Sequence, residues 1–286
     1  MLNMELSIIT VNTNDKEKIL EQIESVRVAA VGVEYEQIIS DNGSIDGSVE
    51  EIQTKYPEVK IVKNGKNIGF GAANNSAFKI STGKFLLFLN PDMHLAPGSL
   101  RIFLDWMERN SDVGIASPKL VDEFGKFNEN AKPRRFPSLR DQVAILLKLP
   151  HIFPGVLDNY LYKNFDFEKD QAVDSVRGSF MLTRREFLDR LGWAFDPRYF
   201  IWFEDVDICR EAWRNGYKVM YTPVISCLDY VGQNFKRLPS LQKQKWFTAS
   251  MVTYFKKWHP AWQWLVVVGL RPVAIFLVWL ESKIKK

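Results

Sequence analysis

Short apolar runs alternate with segments whose apolar residues recur every three to four positions, and this alternation predicts strands and helices in turn. Leu6 to Val11 (LSIITV) is β-branched and predicts the first strand. After the polar turn Asn12 to Asp15, Ile19, Leu20, Ile23, Val26 and Ala30 take helical spacing, and Tyr35 to Ser40 returns to strand character. A helix over Ser48 to Tyr56 and a strand over Val59 to Lys63 continue the pattern. The glycine-rich stretch Gly65 to Asn75 then leads into a helix reaching Ile80. Phe85 to Leu89 (FLLFL) has no polar break and is too short for a helix, so it reads as a strand buried on both faces of a parallel sheet. Asn90-Pro91 stops it and delivers Asp92 at the strand's carboxyl end, where open α/β sheets bind ligands. Asp92 is therefore either a turn residue or a metal-binding acid.

Further on, Leu100, Phe103, Leu104 and Met107 mark a helix, Val113 to Pro118 a strand, and Asp122 to Lys132 a hairpin turning near Glu123-Phe124-Gly125. Pro133 to Asp170 has no clear period, and its aromatic residues suggest an ordered lid or acceptor-side surface. Val173 to Thr183 reads as a strand and Arg184 to Leu191 as a short helix. A second helix begins at Glu204-Asp205-Val206-Asp207, where three acids either favour the helix dipole or carry chemistry, and it is capped by Gly216. Lys218 to Tyr221 and Val224 to Leu228 are expected as the final strands, ending in Asp229.

Composition makes this an ordinary globular chain of 286 residues, 46% hydrophobic and 25% charged, with no repeat or low-complexity segment. Charge is uneven. From Tyr230 onward lie ten of the 38 basic residues (Lys236, Arg237, Lys243, Lys245, Lys256, Lys257, Arg271, Lys283, Lys285 and Lys286) but one of the 34 acidic ones, Glu281. A mildly acidic body and a basic tail suggest an anionic surface as the tail's partner. The basic residues are interleaved with apolar ones and form no groove-reading motif, which argues against nucleic acid. Cys209 and Cys227 lack metal or redox spacing and are expected as buried, reduced thiols of a cytosolic protein. The opening MLNMELSIITVN does not have the pattern of a signal peptide.

Five stretches in order resemble family-2 glycosyltransferases of the GT-A fold, particularly the bacterial rhamnosyltransferase-like branch. They are SIITVNTN (Ser7 to Asn14), SDNGSIDGS (Ser40 to Ser48), KNIGFGAANN (Lys66 to Asn75), LNPD (Leu89 to Asp92) and the long run from Gly178 to Pro223. The resemblance implies a Rossmann-like α/β domain with a mostly parallel central sheet flanked by helices over residues 1–235. A basic, apolar helical tail over 236–286 would follow it. It further implies an inverting transfer from a UDP- or dTDP-sugar to a lipid-linked or glycan acceptor at the inner face of the cell membrane.

Roles follow the motifs. Asp41 would accept from N3 of a uracil or thymine, with Asp46 in the same pocket, and Asn67 with the Gly69-Phe70-Gly71 bend would lie beside ribose and diphosphate. Thr10, Asn12, Asn14, Asn42, Asn74, Asn90, Arg177 and Gly178 complete the implied nucleotide-sugar site. Asp92 stands at the DxD position for Mg2+ or Mn2+. Asp205 would be the general base, with Glu204 as the competing assignment. The chain departs from the family at Thr13 and Ile45, which carry no chemistry, and at Asp229, where a histidine is common. Asp229 and His94, which forms an Asp-x-His pair with Asp92, are accordingly candidate metal ligands. A sugar-nucleotide nucleotidyltransferase would need a glycine-rich basic loop after the first strand, which TVNTND lacks. A GT-A-fold binding protein without catalysis is the other alternative.

The tail run Ala261 to Leu280 (AWQWLVVVGLRPVAIFLVWL) is long enough to span a bilayer, but Arg271-Pro272 sits in its middle. Flanking tryptophans and lysines favour a segment lying in the headgroup region. A helical hairpin packed on the body, or on the partner in a homodimer, is the alternative.

Overall fold

A computed structural model describes residues 4–230 and 239–284. The N-terminal half builds β1 (Leu6–Asn12), α1 (Lys16–Ala29), β2 (Tyr35–Asp41), α2 (Ser48–Lys55), β3 (Lys60–Lys63), α3 (Phe70–Phe78), β4 (Phe85–Leu89), β5 (Met93–Leu95) and α4 (Ser99–Arg109). The rest builds β6 (Val113–Val121), α5 (Leu139–Leu146), β7 (Gln171–Ala172), β8 (Phe180–Arg184), α6 (Arg185–Leu191), α7 (Glu204–Arg214), β9 (Lys218–Asp229), α8 (Ser240–Trp258) and α9 (Ala261–Ile284).

Among the described residues the strands form one sheet in the order β3-β2-β1-β4-β8-β6-β9-β5, with β7 added on β9. From β3 to β4 the pairing is parallel, whereas β8 runs against both neighbours, β4 and β6. The sheet is thus parallel in one half and mixed in the other. Pleating divides β4 between two apolar layers: Phe85, Leu87 and Leu89 pack with Leu100 and Phe103, while Leu86 and Phe88 pack with Phe187 and Ile208. The chain leaves β1 toward β2 on one side and returns to β4 on the other, and such a reversal opens a crevice at the strands' carboxyl ends.

Several elements differ from the sequence pattern for local reasons. The strand expected from Val173 begins only at Phe180, because residues 173–179 bend away to bridge Arg134 at Ser175. The two expected final strands are one, β9, which passes Pro223 through a register shift against β6. The expected hairpin is present but short: Val121 pairs antiparallel with Phe127 around a tight turn, Asp122 N–H donates to Lys126 O at 2.8 Å, and a 3-10 turn follows at Glu129–Ala131. Within Pro133 to Asp170 the chain forms α5 and buries Leu146, Leu157, Tyr160 and Phe165. Cys209 and Cys227 are buried free thiols, and burial pushes both thiols up.

The tail is a helical hairpin. Met251, Tyr254 and Phe255 of α8 join Val267 and Ala274 of α9 in one apolar cluster with Leu146, Tyr199 and Phe203, so segments from either side of residue 235 share a core. Arg271 turns inward, its Nε donating to Thr248 Oγ1 at 3.2 Å, and Glu281 pairs with Lys148. The expected boundary between residues 235 and 236, with Lys236, Arg237, Lys285 and Lys286, lies outside the described residues.

Candidate active site

The carboxyl ends of β1 and β2 are tied into a polar shelf. Asp41 Oδ2 accepts from the backbone N–H groups of Gly43 (3.1 Å) and Ser44 (3.0 Å), and its Oδ1 accepts from Asn12 Nδ2 at 3.3 Å. Asn14, at φ 53°, accepts from Ile45 N at 2.8 Å. Asp46 joins two helix starts, accepting from Ser48 N at 3.1 Å and Lys16 N at 2.9 Å. Thr10 is fully buried and accepts from Gln22 Nε2 at 2.7 Å, so it supports the shelf from beneath. Asn42 Nδ2 lies 3.3 Å from Asn67 Oδ1, which in turn accepts from Gly69 N at 2.9 Å.

Gly69 has φ 93°, and a Cβ there would stand 2.5 Å from Phe200 O. Glycine is required on both counts. Phe70 N donates to the same carbonyl at 2.8 Å, which clamps the glycine bend to the aromatic loop ahead of α7. Gly71 packs on Phe195, and Asn74 Nδ2 donates to Phe70 O at 3.0 Å. Asn75, which sequence reasoning passed over as a site residue, fixes the other side of this loop: its Oδ1 accepts from Ala194 N and Phe195 N, and its Nδ2 donates to Phe195 O.

Beside the shelf opens a cavity of about 460 Å3. Of the expected site residues, Phe70, Asn90, Asp92, Arg177, Gly178, Glu204, Asp205 and Asp229 line it. The shelf residues do not. Among the cavity residues that were not expected as site residues are Lys132, Arg134 and Tyr160. They lie in and beside the irregular stretch, where periodicity carries no information and the only signal is the basic run Lys132-Pro133-Arg134-Arg135.

Asp92 and Asp229 reach the cavity from paired chain segments. Met93 faces Asp229 across the β5–β9 ladder, and Tyr230 N donates to Asp92 O at 3.3 Å. Both carboxylates are buried, and Asn128 Nδ2 donates to Asp229 Oδ2 at 3.0 Å. Two hard oxygen donors of this kind suit a divalent cation whose remaining positions are filled by ligand and water. No cluster of three or more His, Cys, Asp or Glu placed to hold a metal occurs among the described residues. His94 is not brought into the cavity. It stands on the face of β5 opposite Met93 and Leu95, where Nε2 is 3.6 Å from Glu21 Oε2 and the ring meets Tyr230 edge-on, and burial holds its pKa below the ordinary value.

The acidic helix start is approached through two aromatic residues in left-handed geometry, Trp202 (φ 63°) and Phe203 (φ 67°). Such conformations cost roughly 1 kcal/mol or more each and persist where the surroundings enforce them. Here α8 does so: Trp246 packs on Phe200, Phe247 on Trp202 and Phe203, and Ser250 Oγ donates to Ile201 O at 2.7 Å. Asp205 is half-buried, with Oδ2 accepting from Gly178 N at 3.3 Å and Oδ1 from Val206 N at 2.8 Å. Gly178 permits the approach, because a Cβ there would lie 3.3 Å from Asp205 Cβ. Glu204 is buried, and its Oε2 has no hydrogen-bond partner among the described residues. Burial, and then the charge of Asp205, raise its pKa well above the carboxylate range. Burial holds Arg177 below the ordinary arginine value, and neighbouring Arg134 adds to this while Asp205 and Asp229 oppose it. Asp207 points away, accepting from Tyr199 Oη (3.1 Å), Lys257 Nζ (2.7 Å) and Trp258 Nε1 (2.6 Å).

Comparison with known proteins places this geometry. The family model described as Glycosyl transferase family 2 matches residues 7–192, from β1 through α6. The N-acetylglucosaminyl-diphospho-decaprenol L-rhamnosyltransferase of Mycobacterium tuberculosis is 28% identical over 215 residues, covering 71% of this chain and 69% of that protein. Rhamnosyltransferase WbbL of Escherichia coli is 26% identical over 203 residues, covering 68% and 73%. Among solved structures, the mannosyltransferase PcManGT from Pyrobaculum calidifontis, in complex with GDP-Man and Mn2+, matches with a TM-score of 0.58 at 15% identity over 96% of this chain and 72% of that one. That likeness shows a shared GT-A fold. With the family match spanning most of the chain, the chain belongs to glycosyl transferase family 2 and has bacterial rhamnosyltransferases among its relatives.

Proposed function

We propose that the protein transfers a sugar, with rhamnose the leading candidate, from a UDP- or dTDP-linked donor to a hydroxyl of a lipid-linked acceptor, with inversion. The observation that carries this reading is a single cavity lined by Asp205, Asp92 and Asp229, which puts a base and a pair of cation-binding carboxylates within one ligand's reach. Single displacement needs both. Asp205 takes the proton from the acceptor hydroxyl as it attacks the anomeric carbon, and the Gly178 N–H orients its carboxylate. Asp92 and Asp229 would hold Mg2+ or Mn2+, which when bound offsets the charge growing on the departing diphosphate. Arg177, Arg134 and Lys132 add fixed positive charge to the same cavity.

On the shelf, Asp41 receives the base. A carboxylate offers about four acceptor positions, so its three contacts leave room for the N3 proton of uracil or thymine. Gly69 and Gly71 let backbone approach the diphosphate, and Asn67 holds that bend. Burial favours the protonated form of Glu204, and in that form it donates to a sugar hydroxyl rather than accepting the acceptor's proton. Trp262, Leu265, Phe276 and Trp279 expose an apolar face of α9 beside Lys256 and Lys283, and this face rests on the anionic inner leaflet, where a lipid-linked acceptor presents its sugar.

A panel of UDP- and dTDP-sugars, with polyprenyl-diphospho-N-acetylglucosamine as acceptor and Mg2+ or Mn2+ present, tests the reading. It expects one donor to be used, inversion at the anomeric carbon, and loss of transfer on chelation. Retention of configuration, or transfer indifferent to chelation, would overturn it.

A further inference from the structure

Between α8 and α9 lies a second concavity, a groove of about 580 Å3 whose walls include Leu241, Pro272, Phe276 and Trp279. Two cations, Lys245 and Arg271, stand in it. Lys245 and Phe247 are two residues apart on α8, roughly 200° around the helix, so α8 shows one face to this groove and another to the catalytic cavity. Neither Lys245 nor Arg271 makes an ion pair among the described residues, and Arg271 bonds only the neutral Thr248 hydroxyl. The hairpin's acid, Glu281, is engaged by Lys148. The groove is therefore electropositive over an apolar floor, and Phe276 is 55% exposed along it.

That combination selects an anion attached to a hydrocarbon chain. A free anion would leave the floor uncovered, and an uncharged chain would leave two cations without a counter-charge. Arg271 further sets the depth, since an arginine is tolerated at phosphate level but costs several kcal/mol at a bilayer centre. We propose that this groove is the docking site for the polyprenyl diphosphate of the acceptor, with Lys245 and Arg271 on its phosphates and Phe276 and Trp279 against its first isoprene units. The inference rests on the acceptor being lipid-linked, as proposed above. The groove and the catalytic cavity lie on opposite faces of α8, with Lys245 on one and Phe247 on the other.

Calorimetric titration of the full chain with farnesyl diphosphate, without nucleotide sugar or metal, tests the groove independently of catalysis. Farnesyl diphosphate is expected to bind at least about tenfold more tightly than inorganic diphosphate, and Lys245→Gln to weaken it by about tenfold, the scale of one charge-assisted contact. Phe276→Ser is expected to weaken the farnesyl compound while leaving inorganic diphosphate unchanged. Both side chains are exposed, so thermal unfolding should stay at the wild-type midpoint. Equal affinity for the two diphosphates, or titrations indifferent to both substitutions, would overturn the proposal. So would phosphatidylglycerol vesicles binding with the same dependence on Lys245, which would make the groove a general anionic-lipid contact. Failure here alongside intact sugar transfer would remove the groove and leave the transferase reading standing.

Discussion

Two groups of acids meet at α7 and behave in opposite ways. Glu204 and Asp205 face the cavity together with Asp92 and Asp229, whereas Asp207 and Glu211 turn to the back of the helix and join Asp196. Lys257 of α8 makes the difference. Its Nζ lies 3.0 Å from Asp196, 2.7 Å from Asp207 and 2.9 Å from Glu211, and Trp258 donates to Asp207 as well. The rear group is thus compensated inside the fold, while the cavity group keeps carboxylates facing space that a ligand enters. Acids of one helix turn are sorted into structure and chemistry by the side of α7 on which they stand, against Lys257 or facing the cavity.

The largest expected effect comes from breaking the rear group. Lys257→Met leaves three buried carboxylates without their shared cation and should lower unfolding free energy by roughly 3 kcal/mol or more. Chemical denaturation measures this, and a loss below about 1 kcal/mol would show that the trio is stable without Lys257. Acidification should give a smaller effect. Burial alone would raise the Asp196 pKa, but Arg198 and Lys257 outweigh it and hold it at about 2. A lowered folded-state value means that the stabilisation is complete above the unfolded value near 4 and disappears as pH falls toward 2, about 1–2 kcal/mol in all. Asp196→Asn should remove that part of the acid dependence.

The cavity group should show the opposite sign. Because the Glu204 pKa is raised in the fold, its contribution is fully present at low pH and is lost as pH rises above 4.5 toward the folded-state value. Glu204→Gln should therefore raise stability at neutral pH by about 1 kcal/mol, and a matching loss on thermal denaturation would place a counter-charge near Glu204.

Most of the parallel half of the fold was legible in the sequence. β4 is a continuous apolar run, β1 is rich in β-branched residues, β2 carries Ile38 and Ile39 at its centre, and Asn90-Pro91-Asp92 marks a strand end. Other features were hidden for definite reasons. β5 has three residues, too few for a period, and Asp92 lies in the turn before it, so the two-residue spacing that would set Asp92 and His94 on one face of a strand does not hold here. Lys132, Arg134 and Tyr160 belong to loop and 3-10 structure fixed by long-range contacts such as the Arg134–Ser175 bridge. Sequence shows that Asp205 and Asp207 share a turn and not that Lys257 lies behind one of them. The tail's helical hairpin was foreseen as an alternative to a flat interfacial segment, but the clamp of α8 on Trp202 and Phe203 has no local signature.

The most direct measurement compares Asp205→Asn with Asp207→Asn, each assayed for sugar transfer and for thermal unfolding. Asp205→Asn should lower turnover about a hundredfold or more while its unfolding midpoint stays within about 2 °C of wild type. Asp207→Asn should lower stability by about 2 kcal/mol, because one amide oxygen replaces the two carboxylate oxygens that accept from Tyr199, Lys257 and Trp258 and the new NH2 group faces donors. Near-wild-type turnover in Asp205→Asn, or wild-type stability in Asp207→Asn, would contradict the division of these acids between chemistry and fold.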